Sequence, residues 1–131
     1  MEIFNVKTSQ RTDFIDITQA IEKKVKESRV NNGLCCLFVP HTTAALTINE
    51  NADSSVKNDI ELKLNALVPS EESYTHFEGN SDAHIKSTLV GSSLSIIINS
   101  GKLVLGTWQG IYFCEFDGPR NRNVYIKIIA G

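Results

Sequence analysis

The sequence predicts an α+β domain that consists mostly of antiparallel strands with two or three helices. Segments of strand length, either apolar or alternating between apolar and polar residues, recur along the chain, whereas only two or three segments have a helical pattern. Strands that follow one another without regularly alternating helices favour an antiparallel sheet. With 131 residues, of which 41% are hydrophobic, the chain can bury one substantial core. We therefore expect a single domain over residues 1–131.

The N-terminal third predicts two short strands, a charged helix and a third strand. Residues Ile3–Thr8 alternate apolar and polar side chains, and residues 14–17 resume an extended pattern after a turn. Thr18 can cap a helix whose apolar residues have helical spacing, and residues 31–33, Asn-Asn-Gly, can end it in the left-handed conformation. The next run, Leu34–Val39, has no charged residue and predicts a fully buried strand.

The middle of the chain predicts a short strand and two helices joined by a polar loop. Ala44–Ile48 has the strand pattern, and Asp53–Leu67 has an apolar stripe at helical spacing. Pro69 ends this helix. Residues 70–80 are polar and lack a repeat, which is typical of a surface loop. Asp82–Val90 predicts a short helix, and the glycine that follows predicts its end.

The C-terminal third predicts strands that line a polar site. Residues Ser92–Asn99 and Val124–Ile129 have strand patterns, and two apolar runs lie between them in a glycine-rich stretch. Glycine within a strand pattern usually marks a bulge or the close approach of another backbone. The side chains that accompany these glycines are Trp108, Gln109, Glu115, Asp117, Arg120 and Arg122. A hairpin that served packing alone would not need them, so we interpret this stretch as the floor of a polar site.

The composition excludes several classes of function. A formal net charge of −2 gives no general attraction to nucleic acid or to an anionic membrane. No apolar run approaches the roughly 20 residues that a membrane helix needs. The first ten residues lack the basic and apolar regions of a secretory signal, which favours a cytoplasmic protein. Cys35, Cys36 and Cys114 lack C-x-x-C spacing, which favours small buried side chains over disulfides or a thiolate zinc site.

The histidines are the first candidates for chemistry, because neutral imidazole is both a metal ligand and a general base near neutral pH. His41 follows the uncharged strand, at a strand end where loops often carry function. His84 falls in the first turn of the third helix if Asp82 caps that helix. His76 lies in the polar loop. A lone histidine is more often structural than functional, so both interpretations stay open.

A segment rich in carboxylates and amides offers possible metal ligands between a predicted strand and a predicted helix. It contains Asn49, Glu50 and Asp53. Oxygen ligands suit magnesium, and together with His41 and His84 they would suit a zinc-like ion. The alternative is an ordinary helix N-terminus, where Asp53 is a natural cap and acids interact favourably with the helix dipole. Spacing does not separate these two interpretations.

Two arginines follow the second glycine-rich run, at the exit of a predicted turn. The guanidinium groups of Arg120 and Arg122 suit phosphate or carboxylate, although a hairpin turn with solvated charges is the alternative. Trp108 and Gln109 lie before the same run. Neighbouring residues of a strand point to opposite faces, so we expect one of this pair to face a pocket. A tryptophan in a strand is otherwise usually part of the core.

Taken together, these motifs resemble the YjbQ-like family, described as secondary thiamine-phosphate synthases. The matching segments are Pro40–Leu46, Asn49 with Glu50 and Asp53, Asp82–His84 with Lys86 and Ser87, Gly91, Gly101 with Leu103, Gly106–Gln109, and Glu115–Arg120 with Arg122. They follow one another in the family's order over most of the chain. Gly-Thr-Trp-Gln followed by Glu-Phe-Asp-Gly-Pro-Arg is the most specific part.

The resemblance implies a compact sheet sandwich that assembles as a homotrimer, with a histidine-bearing site near subunit contacts. It also implies a transferase with a phosphorylated small-molecule substrate. The implied reaction joins hydroxymethylpyrimidine diphosphate to hydroxyethylthiazole phosphate and forms thiamine phosphate. A divalent metal, magnesium or zinc-like, would stabilise the departing pyrophosphate together with arginines. A metal- or small-ligand-binding module with an incidental synthase activity is the alternative.

The reaction assigns roles to the candidate residues. The expected catalytic residues are His41, His84, Glu115 and Asp82. The expected substrate- and phosphate-binding residues are Arg120, Arg122, Trp108, Gln109 and Asn49. The expected metal ligands are His41, His84, Glu50 and Asp53.

Overall fold

Two antiparallel β-sheets and three helices make up the fold, which a computed structural model describes for all 131 residues. The α+β prediction is confirmed. The strands are β1 (Glu2–Lys7), β2 (Asp13–Asp16), β3 (Gly33–Phe38), β4 (Ala44–Glu50), β5 (Ser93–Asn99), β6 (Lys102–Leu103), β7 (Gln109–Glu115) and β8 (Asn121–Ala130). The helices are α1 (Thr18–Ser28), α2 (Ser54–Leu67) and α3 (Ser81–Val90).

The two sheets form a sandwich that is covered by helices on one side. The five-stranded sheet has the order β1-β8-β3-β5-β6, and the three-stranded sheet has the order β2-β7-β4. The larger apolar core contains inner-face residues of both sheets together with Ile21 and Val25 of α1. A smaller core around Phe14 and Tyr112 lies between the three-stranded sheet and helices α2 and α3. The outer face of the five-stranded sheet has no helix over it.

Strand β7 runs through the middle of the molecule and is buried on both faces. All of its residues after Gln109 are buried, which explains the uninterrupted apolar run in the sequence. Its register places Ala44 opposite Glu115 and Glu50 opposite Gln109. A strand of this length spans roughly 20 Å. Polar residues at the two ends of β7 therefore belong to different regions of the surface.

The ends of helix α1 differ from the prediction. Thr18 is the first helical residue rather than the cap, and the carboxylate of Asp16 accepts hydrogen bonds from its N–H and hydroxyl groups. The helix ends at Ser28, and Arg29 takes the left-handed conformation with φ 59°. Gly33 is the first residue of β3 and not part of the helix end. The position requires glycine, because a Cβ atom there would lie 1.9 Å from the carbonyl oxygen of Ile129. The glycine in the predicted stop therefore serves a close strand contact.

Two of the three cysteines are buried, as the sequence predicts, and the third is not. All three are free; Cys35 and Cys114 are buried, whereas Cys36 points to the opposite face of β3 and is half-buried. Burial raises the pKa of the Cys35 thiol to about 11. No helix of the chain has the length and apolar character that crossing a membrane requires.

Candidate functional site

A buried ion pair between Glu115 and Arg122 lies where β7 ends and β8 begins. The Arg122 guanidinium donates from Nε to one carboxylate oxygen, at 2.9 Å, and from Nη2 to the other. Nη2 also donates to Oγ1 of Thr43 at 2.8 Å. The carboxylate accepts further bonds from the Thr8 hydroxyl, at 2.7 Å, and from the backbone N–H of Asp117, at 3.0 Å. The pair therefore ties both sheets and two loops together.

Glu115 is held in its ionised form. Burial by itself would raise the pKa of this carboxyl, but the hydrogen bonds from Arg122, Asp117 and Thr8 outweigh it and lower the pKa below its ordinary value. A carboxylate with so many donors is a poor proton acceptor near neutral pH. The geometry thus gives Glu115 a supporting function, and its predicted catalytic role stays a prediction.

His41 lies close to this pair with one ring nitrogen engaged. Its Nε2 accepts a hydrogen bond of 2.9 Å from the backbone N–H of Asn123. Because a backbone N–H can only donate, the neutral imidazole carries its proton on Nδ1. Burial and the guanidinium groups of Arg122 and Arg120 lower the pKa of His41, although Glu115 acts in the opposite direction. His41 is therefore a neutral Nδ1–H donor, and it lies half-buried in the loop that follows β3.

Arg120 forms the outer edge of the same region. Its Nε donates to the backbone oxygen of Asp117, at 2.8 Å, and its Nη2 donates to the carboxylate of Asp117, at 3.0 Å. The same carboxylate accepts a bond of 2.9 Å from the amide of Asn80 at the start of α3. The side chain of Arg120 is 53% exposed, so it can also reach a bound anion.

Asp82 belongs to a separate polar cluster beneath α3. It is fully buried and accepts two hydrogen bonds from the guanidinium of Arg11, at 3.1 and 3.2 Å. Lys86, 2% exposed, lies 3.7 Å from Asp82 and donates to the Asn65 side chain of α2 at 2.6 Å. Burial lowers the pKa of Lys86, and Asp82 only partly opposes this. These residues line a polar cavity of about 420 Å³.

His84 faces a different cavity. Its ring lies edge-to-face with the ring of His76, and the two ring centres are 5.5 Å apart. The cavity has a volume of about 370 Å³ and is also lined by Tyr74, Thr75 and Ser81. The structure thus pairs His84 with the loop histidine instead of with His41.

Four further predicted site residues lie at the opposite end of β7. Trp108 is exposed. The Oε1 atom of Gln109 accepts a hydrogen bond of 2.7 Å from the backbone N–H of Gly106. Gln109 lines a polar cavity of about 450 Å³. Asn49 is exposed, and its Oδ1 accepts a hydrogen bond of 2.7 Å from the backbone N–H of Glu50. The strand length separates this group from Glu115.

The four predicted metal ligands do not meet. His41 lies near the Glu115 end of β7, and Glu50 lies at the other end. Asp53 caps helix α2 through its side chain, as the alternative interpretation expects. His84 packs against the loop histidine. No group of three His, Cys, Asp or Glu side chains is close enough to hold a metal ion, so this ligand set does not fit a divalent ion.

The sequence reasoning missed several polar residues of these clusters. Thr8, Thr43 and Arg11 make hydrogen bonds to the predicted site residues Glu115, Arg122 and Asp82, respectively. Asn65 and Asn80 make hydrogen bonds to Lys86 and Asp117, which lie beside them. Most of these bonds join residues more than 70 positions apart, for which a single sequence holds no signal. Only the four-residue spacing of Asp82 and Lys86 on one helix face could have indicated a contact.

Comparisons with known proteins give a consistent result. A family model described as "UPF0047 protein YjbQ-like" matches residues 2–131. The chain is 57% identical to a UPF0047 protein of Methanocaldococcus jannaschii, over 97% of this chain and 92% of the relative. It is 48% identical to the UPF0047 protein YugU of Bacillus subtilis, over 99% of both chains.

Solved structures agree with these relatives. A crystal structure of an uncharacterized YjbQ/UPF0047 family protein from Clostridium acetobutylicum has a TM-score of 0.96 and 56% identity, over 98% of this chain and all of the other. A YbjQ-like protein of unknown function from Sulfolobus solfataricus has a TM-score of 0.95 and 34% identity, over 99% and 96% of the two chains.

The predicted formation of thiamine phosphate is wrong by these comparisons. The relatives are named as UPF0047 or YjbQ-like proteins, two of the solved ones as uncharacterized or of unknown function, and none as a thiamine-phosphate synthase. The geometry agrees, because the expected metal ligands are dispersed.

Proposed function

This chain belongs to the UPF0047 YjbQ-like family, and we propose that it binds a small phosphorylated ligand at a strand-end site formed by His41, Arg120 and Arg122. One observation carries the proposal: these residues bring N–H groups without protein acceptors to one end of the sandwich. His41 offers Nδ1–H. Arg122 uses Nε and Nη2 in the buried pair, and its Nη1 has no protein acceptor.

The charged groups of the strand-end site nearly cancel, so hydrogen bonds rather than net charge hold an anion there. Glu115 and Asp117 balance the two arginines, so the ligand gains mainly from charge-assisted hydrogen bonds. An anion beside His41 would favour the imidazolium form. Since Arg122, Arg120 and burial lower the pKa of His41 in the free protein, anion binding becomes coupled to proton uptake.

A sulfate titration without metal tests this site, because sulfate has the shape of phosphate and keeps its charge across the pH range used. We expect sulfate and pyrophosphate to raise the melting temperature of the wild-type chain. Arg120→Gln should weaken binding about tenfold, whereas Lys23→Gln, on an exposed face of α1, should not change it. Sulfate affinity should rise as the pH falls from about 8 to about 5. Equal affinities for Arg120→Gln and the wild type would overturn the proposal.

We also propose that the chain forms a homotrimer through the outer face of the five-stranded sheet. This face carries large exposed apolar residues, namely Ile3, Leu34, Phe38, Ile97 and Ile129. They are neighbours by register, since Leu34 lies opposite both Ile97 and Ile129, and Phe38 lies opposite Tyr125. An apolar patch of this kind on a sheet without a covering helix is typical of an interface.

The three free cysteines support a location in the reducing cytoplasm.

A further inference from the structure

We propose that His76 and His84 together bind a transition-metal ion of the zinc type in the cavity beside the first turn of α3. This loop imidazole pair, His76 and His84, is independent of the strand-end site. His84 was an expected metal ligand from the sequence, whereas His76 was expected only to lie in the polar loop.

The separation of the two rings fits a shared ion. Two imidazoles bound to one tetrahedral ion, each with a nitrogen–metal bond of about 2.0–2.1 Å, have ring centres about 5 Å apart. The ring centres of His76 and His84 are 5.5 Å apart, with the rings nearly perpendicular. The two rings are therefore close enough for side-chain rotation to direct one nitrogen of each ring at a common point.

Each histidine of the pair has a ring nitrogen free for ligation. The hydrogen bonds of His84 involve its backbone groups, in contrast to His41, whose Nε2 is occupied. The Nε2 atom of His76 lies 3.6 Å from the carboxylate of Glu78. A carboxylate in this position holds the proton on the nitrogen that faces it and leaves the other nitrogen to the metal.

The loop that carries His76 is tethered on both sides. Before it, the Tyr74 hydroxyl donates to the backbone oxygen of Pro69 at 2.6 Å. After it, Arg11 donates to the backbone oxygen of Gly79 at 3.2 Å. These bonds hold the loop near the N-terminal turn of α3, where His84 lies, so that the imidazole pair is formed before a metal arrives.

The surroundings favour a cation and leave coordination positions open. Residues 70–80, the loop that carries His76, contain three carboxylates and no lysine or arginine. Tyr74, Thr75 and Ser81 place oxygen atoms around the cavity. Because no third His, Cys, Asp or Glu completes the group, water fills the remaining positions. Imidazole ligands select zinc, nickel or copper ions over magnesium and calcium.

Titration of the intact chain with Zn²⁺, followed by calorimetry and by the NMR signals of the imidazoles, tests the proposal. We expect one Zn²⁺ per chain and shifts confined to the rings of His76 and His84. His76→Asn and His84→Asn should each weaken Zn²⁺ binding at least about tenfold, and Glu78→Gln should weaken it about tenfold. His41→Asn, the matched control, should leave Zn²⁺ affinity unchanged, and Mg²⁺ should not compete.

Several outcomes would overturn the metal site. They are an absence of Zn²⁺ binding, equal affinities in all three histidine variants, or competition by Mg²⁺. Circular dichroism establishes that each variant is folded, and the exposed His76→Asn decides the question if His84→Asn unfolds. Phosphate is absent from this titration and metal is absent from the sulfate titration, so failure of one site is distinguishable from failure of the other.

Discussion

At the scale of single residues, the Glu115–Arg122 pair shows how the fold keeps two charges away from water. Glu115 is fully buried and the Arg122 side chain is only 5% exposed. Desolvation of both ions is costly, and it is offset only because the carboxylate accepts four hydrogen bonds. The sequence identified both residues as polar members of a site. It could not identify Thr8, which donates to Glu115 from 107 positions away.

Removing one member of this pair should be far more damaging than removing an exposed arginine. Arg122→Met leaves the Glu115 carboxylate buried without its main partner, and we expect a loss of about 3–5 kcal/mol in the free energy of unfolding. Arg120→Gln should cost no more than about 1 kcal/mol, because its ion pair with Asp117 is exposed. Urea denaturation measures both values. Similar losses for the two variants would contradict a structural role for the buried pair.

At the scale of elements, helix α2 is attached to the rest of the molecule by the half-buried Ile60 and Leu64 and by a few polar contacts. It contains no fully buried residue, and Leu62 and Leu67 are 71% and 63% exposed. Its side chains Glu61 and Asn65 bond to the Phe14 backbone N–H, at 2.8 Å, and to Lys86, at 2.6 Å. The apolar stripe predicted this helix, and the residue type of Asp53 suggested its cap. The stripe could not show that its last residue, Leu67, would be exposed while Ile60 and Leu64 are half-buried.

Helix α2 should therefore open before the sheets unfold. Native-state hydrogen exchange should give the α2 amides an opening free energy about half that of the β7 amides or less, because β7 is buried on both faces. Glu61→Ala should speed exchange in α2 further, while exchange in β7 changes little. Equal protection of α2 and β7 would show that the helix unfolds only with the whole domain.

At the scale of the whole molecule, the strand pattern predicted an α+β fold, but not a single meeting point for the site residues. Gln109 and Glu115 lie in one short strand, and its extended geometry places them at opposite ends. His41 and His84 were expected to converge, yet each has a different partner, Asn123 and His76. Periodicity predicts which face of an element is buried. The contacts that assemble a site depend on sheet order, which periodicity does not contain.

Self-association through the outer sheet face belongs to this scale as well, and it makes stability depend on protein concentration. If the folded chains associate and the unfolded chains do not, the melting temperature rises with concentration by mass action. Ile97→Lys places a charge in the apolar patch beside Leu34, so we expect a smaller species by light scattering and a melting temperature independent of concentration. Leu62→Lys is the matched control, because it changes an exposed leucine on α2 and should leave the assembly intact. A monomeric wild-type chain would contradict the proposed self-association. Disruption of the assembly by Leu62→Lys alone would place the interface on α2 instead of on the outer sheet face.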